Sequence, residues 1–202
     1  MSGAELGKLL HGGDELTMPA VQPKLSANLE PLTSALDRFD LNAIEATLNR
    51  YAALLPPRDL VFAVMLPLLR HIGDHWQTGE VRPAQEHLVS AIVRSVLGGL
   101  LRATARPGGL PKIVFATPAG ERHELGLLCA ALLAASEGYG IVFLGADLPA
   151  AEIVHAAVQS GATIVVVSMT TPGLVAPAEL RGLTKLPVSV QLWSAVRRLA
   201  RS

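Results

Sequence analysis

Beyond the Pro/Gly-rich segment Arg106-Pro-Gly-Gly-Leu-Pro111, short apolar runs alternate with helix-forming stretches, and this pattern most restricts the fold. Four runs have strand length: Lys112-Ile-Val-Phe-Ala116, Ile141-Val-Phe-Leu-Gly145, Thr163-Ile-Val-Val-Val-Ser168 and Val188-Ser-Val-Gln-Leu192. The first three are apolar on successive residues, so both faces of each strand must be covered. That requirement predicts a parallel sheet with helices on each side. The covering helices are read at Glu124–Ser136 and Glu152–Gln159, with a stub of basic helix after Leu192 running to Ser202.

The preceding chain has helical periodicity. Leu29, Leu32, Leu36 and Phe39 form one apolar stripe, and Leu41, Ile44, Leu48, Tyr51 and Leu55 another. Pro56-Pro57 separates these from a third helix through Val61, Val64, Leu68 and Ile72, in which Pro67 removes a backbone donor and should kink the chain or rest on a neighbour. After Gly79, Pro83 opens a fourth helix that runs to about Thr104. The expected organisation is a flexible leader over 1–26, a four-helix bundle over 27–106 and a Rossmann-like α/β domain over 107–202.

Half of the 202 residues are hydrophobic and 17% are charged, enough apolar material for a packed core. Seventeen basic residues balance seventeen acidic ones, so no broad basic surface is expected for nucleic acid or an anionic membrane. The longest apolar run, Gly126–Ala135, is too short to span a bilayer. A lone cysteine, Cys129, excludes an internal disulfide and fits a cytoplasmic setting.

In parallel sheets ligands sit beyond the carboxyl ends of strands, so the loop after the first strand comes first. It reads Thr117-Pro-Ala-Gly-Glu-Arg-His-Glu-Leu-Gly126. His123 with Glu121 two residues earlier has the makings of an oriented metal ligand: one ring nitrogen binds the ion while a carboxylate holds the other N–H. Gly126 leaves room for a bulky group near the backbone. The plainer alternative is an exposed histidine in a charged loop. No Walker or Gly-x-Gly-x-x-Gly pattern follows the strand, which disfavours nucleotide cofactors.

A second constellation lies around the turn between the third and fourth helices, with Trp76 before it and Glu86 and His87 after it. An aromatic with a carboxylate and an imidazole would lid a bulky ligand. Alternatively, Trp76 plugs the end of the bundle and Glu86 favours a helix N-terminus. Zinc is not expected, since the histidines here are not read as a His-x-x-x-His pair and only one thiol exists.

The run Val64-Met-Leu-Pro-Leu-Leu-Arg-His-Ile-Gly-Asp-His-Trp-Gln-Thr-Gly-Glu80, then Glu86-His87, then Pro118-Ala-Gly-Glu-Arg-His-Glu-Leu-Gly126 resembles the cobalamin-binding module of the CarH/LitR-type photoreceptors, here without their DNA-binding domain. The ordered pair Trp-x9-Glu-His and Glu-x-His-x-x-Gly is more specific than either part, and the likeness extends from about Leu29 to about Leu192. It implies His123 as the cobalt ligand from below, with Glu121 behind it. It further implies that the nucleotide tail runs past Gly126 and Ser168, and it counts Thr170 among the cofactor-binding residues. Trp76, Gln77, Glu86 and His87 would lie at the upper face, shielding a 5′-deoxyadenosyl group whose release by light would rearrange the lid.

Three departures shape the expectation. Residues 1–26 leave no room for a helix-turn-helix domain, so regulation would pass through a protein partner or self-association, without direct nucleic-acid binding. Gln77 stands where the family has a histidine after the lid tryptophan. The family's Gly-Gly after the fourth strand is replaced by Leu192-Trp193, and the last strand and helix are missing from the C-terminus. The first expectation is therefore a cobalamin-binding, light-responsive regulatory protein, most naturally loaded with adenosylcobalamin. Rivals are a corrinoid methyl carrier, a haem or biliverdin sensor in the same cleft, and an interaction domain without cofactor. No base, nucleophile and oxyanion group converge, so an enzyme is not expected.

Overall fold

The computed structural model describes residues 28–77, 81–106, 108, 110–170 and 173–196. The expected leader over 1–26 and the basic stub after Val196 lie outside the described residues. The chain divides into two compact units, with a boundary between Ala103 and Thr104.

In the helical unit, α1 (Glu30–Asp37) buries Leu32, Ala35 and Leu36. Phe39 was read as part of this stripe, but it follows the helix end with φ 55° and is 43% exposed. The left-handed turn carries its side chain off the helix face. Helix α2 (Leu41–Leu54) is capped by Asp40, whose Oδ1 accepts the Ala43 N–H at 3.0 Å, and it buries Ile44 and Leu48.

The third helix is composite: α3 (Pro57–Asp59), a π-helical stretch (Leu60–Met65), then α4 (Leu66–Gln77). The Leu66 N–H reaches back five residues to Val61 O. Pro67 has no N–H for the carbonyl four residues back, and its ring would crowd that carbonyl in a regular turn. A wider turn just before it relieves both problems. The π stretch buries Leu60, Val61, Ala63, Val64 and Met65 against the core.

Helix α5 (Pro83–Thr104) starts on one half of a capping box, in which the side chain at the third helical position reaches back to the N-cap backbone. Gln85 Oε1 accepts the Arg82 N–H at 2.8 Å, while its Nε2 donates to Leu36 O at 3.0 Å. One buried amide thus ties the start of α5 to the end of α1.

The α/β unit comprises β1 (Lys112–Pro118), α6 (Leu125–Ser136), β2 (Gly140–Leu148), α7 (Ala150–Ser160), β3 (Ile164–Met169), α8 (Pro177–Leu183) and β4 (Gln191–Val196). All pairings are parallel and the strand order is β2-β1-β3-β4. Val114, Ala116, Val165 and Val167 face one way, onto Ala150, Ile153, Ala157 and Leu183 of α7 and α8. Helix α6 packs on the sheet through Leu127, Leu128, Ala131, Leu132 and Ala135 and covers the other face. The expected α/β architecture is present, a Rossmann-like parallel sheet following a helical unit.

Two details differ from the sequence reading. Helix α8 was missed, being seven residues long and lacking an apolar period. The last strand is Gln191–Val196 rather than Val188–Leu192, and Val188 is fully exposed. Register with β3 decides this: the Gln191 N–H donates to Thr163 O at 2.9 Å, and Trp193 lies opposite Val166. Leu192-Trp193 therefore lie inside β4 and do not stand in the place of a glycine pair after it.

Candidate functional site

The order β2-β1-β3-β4 sends the chain left from β1 and right into β3, so the loops after β1 and β3 sit side by side at the switch point where open parallel sheets place their ligands. Glu121, in the first loop, bridges the two. Its side chain is fully buried. Oε1 accepts the His123 backbone N–H at 2.9 Å and lies 2.6 Å from His123 Nδ1. Oε2 accepts the Thr170 N–H at 2.6 Å and the Thr170 hydroxyl at 3.0 Å. Two donors from each loop compensate the desolvation of a buried carboxylate.

The loop backbone is as tightly held. Glu121 O accepts the Thr117 hydroxyl and the Asp147 N–H, and Asp147 Oδ1 accepts the Gly120 N–H at 2.8 Å. Gly120 has φ 94°, and a Cβ there would lie 2.5 Å from Leu174 O, so no other residue fits without displacing the 173–175 segment.

The chemistry follows from the acceptor. An ionised carboxylate only accepts, so the proton of a neutral His123 ring sits on Nδ1 and the lone pair on Nε2. The ring is 65% exposed, which presents Nε2 to an incoming ligand. Gly126, at the start of α6, is exposed, and a Cβ built on it would meet no atom within 4 Å. Among the described residues no group of three or more His, Cys, Asp or Glu could enclose a metal ion. One oriented imidazole beside open space suits a metal whose other ligands come from a macrocycle, and this donor set fits cobalamin or haem.

The remaining candidates divide by unit. Ser168 is buried near the carboxyl end of β3, two residues before Thr170. Thr170, among the expected cofactor-binding residues, donates its N–H and hydroxyl to Glu121 Oε2, a partnership that 49 residues of sequence separation conceal. In the helical unit, Trp76 and Gln77 end α4, and their side chains lie outside the described residues. The Val81 N–H donates to His75 O at 3.1 Å, folding the chain back to α5. Glu86 accepts the Ser90 hydroxyl at 2.8 Å, and exposed His87 lies 3.9 Å from Glu86. The sequence reading passed over one pattern: His71 and His75 do form a His-x-x-x-His pair, with ring centroids 3.9 Å apart.

Comparison with known proteins gives a partial family match first. Residues 29–100, nearly the whole described helical unit, match the family of the B12 binding domain. Particular relatives then follow. The chain is 37% identical over 124 residues to the HTH-type transcriptional repressor CarH of Myxococcus xanthus, covering 61% of this chain and 41% of CarH. It is 29% identical over 150 residues to the repressor CarA of the same organism, covering 74% of this chain and 50% of CarA. The chain thus spans half or less of the length of the curated relatives it matches. The monomethylamine corrinoid protein of Methanosarcina barkeri shares the fold, with a TM-score of 0.57 and 18% identity over 82% of this chain and 84% of that one. The resemblance read from the sequence stands on these matches. Among the described residues no helix is long and apolar enough to cross a membrane.

Proposed function

We propose that this chain is a cobalamin-binding regulatory module that responds to light and acts through a protein partner or self-association. The observation that carries the reading is the His123–Glu121–Thr170 chain of hydrogen bonds at the sheet's switch point. His123 Nε2 would ligate the cobalt, with Glu121 holding the ring and its tautomer and Thr170 holding Glu121. Gly126 and Ser168 would lie along the path of the nucleotide tail. By the resemblance, Trp76, Gln77, Glu86 and His87 would supply the contacts to the cofactor's upper face. When bound, adenosylcobalamin supplies a light-labile cobalt–carbon bond. The match of residues 29–100 supports cobalamin over haem or biliverdin.

The test is a titration in the dark with adenosylcobalamin, followed by absorbance. His123→Ala should weaken binding well over tenfold while leaving the circular dichroism unchanged, since the ring is mostly exposed. Equal affinity and an unchanged spectrum in that variant would overturn the ligand assignment. Green light should then change both the absorbance and the elution volume of the loaded wild type. A protein inert to light that instead exchanges methyl groups with donors in the dark would be a corrinoid carrier.

A further inference from the structure

We propose that His71 and His75 form a separate site for a borderline transition-metal ion, of the Cu2+, Ni2+ or Zn2+ class, on the last turns of α4. The two residues are one helical turn apart, so their side chains leave the same face. Both are half-buried, and their rings meet with centroids 3.9 Å apart and planes tilted by 38°.

The tautomer of one ring is set by its surroundings. His75 Nδ1 lies 2.7 Å from His71 O. A backbone carbonyl can only accept, so Nδ1 carries the proton and the lone pair of the neutral ring is on Nε2. This is the outer-shell contact that metal-binding histidines commonly use to fix ring orientation. The ring's rotation is limited, so less entropy is lost when an ion arrives.

Two imidazoles at this spacing can chelate one ion, each at about 2.0–2.1 Å for zinc. The rings lie with centroids 3.9 Å apart, so rotation about their side-chain bonds has to turn one nitrogen of each toward a shared ion. Imidazole ligands without thiolate select Zn2+, Ni2+ and Cu2+ over Mg2+ or Ca2+, with Cu2+ held tightest. Asp74, exposed between the two histidines in sequence, adds negative charge nearby. The site stands independently of the cobalamin assignment, which uses His123 in the α/β unit.

The experiment is calorimetric titration of the untagged, cobalamin-free full chain with Cu2+, Ni2+ and Zn2+ at neutral pH in a non-chelating buffer. The wild type should bind one equivalent, in the affinity order Cu2+ above Ni2+ and Zn2+. His71→Gln and His75→Gln should each lose about tenfold or more, and the double variant should be little worse than either, because a chelate needs both rings. His155→Gln should retain the wild-type affinity. Melting in EDTA establishes that each variant folds, and the metal-induced rise in Tm should vanish in both α4 variants and persist in the control. A wild type without stoichiometric binding, or folded α4 variants that bind as tightly as wild type, would overturn the proposal.

Discussion

Replacing Glu121 by glutamine tests whether the buried carboxylate holds the loops after β1 and β3 together. The native carboxylate meets the His123 N–H and Nδ1 through one oxygen, and the Thr170 N–H and hydroxyl through the other. A carboxamide of the same shape has one accepting oxygen and one NH2, which can only donate. If the NH2 faces Thr170, the hydroxyl can rotate to accept, but the Thr170 N–H is left against another donor. If it faces His123, the ring can change tautomer, but the His123 N–H is orphaned and Nε2 becomes protonated. Either way one backbone donor beside a fully buried side chain loses its acceptor, at about 1–3 kcal/mol. The charge-assisted character of the remaining bonds is also lost, while the neutral amide is cheaper to bury than the carboxylate. The net expectation is a loss of about 2–3 kcal/mol. Urea unfolding followed by circular dichroism, without cofactor, should show it, and in thermal unfolding Tm should fall roughly 4–8 °C per kcal/mol for a unit of this size. Thr170→Val, which removes only the hydroxyl donor, should cost about 1 kcal/mol. An E121Q protein within about 0.5 kcal/mol of wild type would refute the claim that this carboxylate staples the two loops.

Three further outcomes follow from local geometry. Gly120→Ala forces a Cβ to within 2.5 Å of Leu174 O at φ 94°, and should destabilise the protein by about 2 kcal/mol or more in the same denaturation assay. Burial pushes the Cys129 thiol from 9.0 up to about 12, so the folded state resists its ionisation. Stability is then intact below about pH 9 and falls above it as the unfolded chain gives up the proton first, by up to about 1.4 kcal/mol per pH unit; the decline relative to Cys129→Ala, measured from pH 8 to 11 (about the range where the unfolded thiol titrates), should expose this contribution. Gln85→Ala strips both the capping contact to Arg82 and the bond to Leu36 O, and should cost about 1–3 kcal/mol in thermal unfolding of the helical unit.

Local pattern was enough to place most elements. The apolar runs at Ile113–Ala116 and Val165–Val167 had to be strands covered on both faces, because nothing else buries consecutive β-branched residues in so few positions. The stripes at Leu32/Leu36 and Ile44/Leu48 point inward for the same periodic reason. Glu121 and His123 were legible as a pair because they lie two residues apart in one loop. Whatever depends on distant partners was settled by the tertiary structure. Val188–Leu192 and Gln191–Val196 look alike as chains, and only hydrogen bonding to β3 selects the second. Phe39 continues an apolar stripe in sequence, yet the left-handed turn after α1 removes it from the core. Thr170 meets Glu121 only because the strand order sets the loops after β1 and β3 side by side. Periodicity encodes which face of an element is apolar, since that depends on neighbours within one or two turns. Register and loop-to-loop contact depend on where the whole sheet places its strands, and no local window of the chain contains that information.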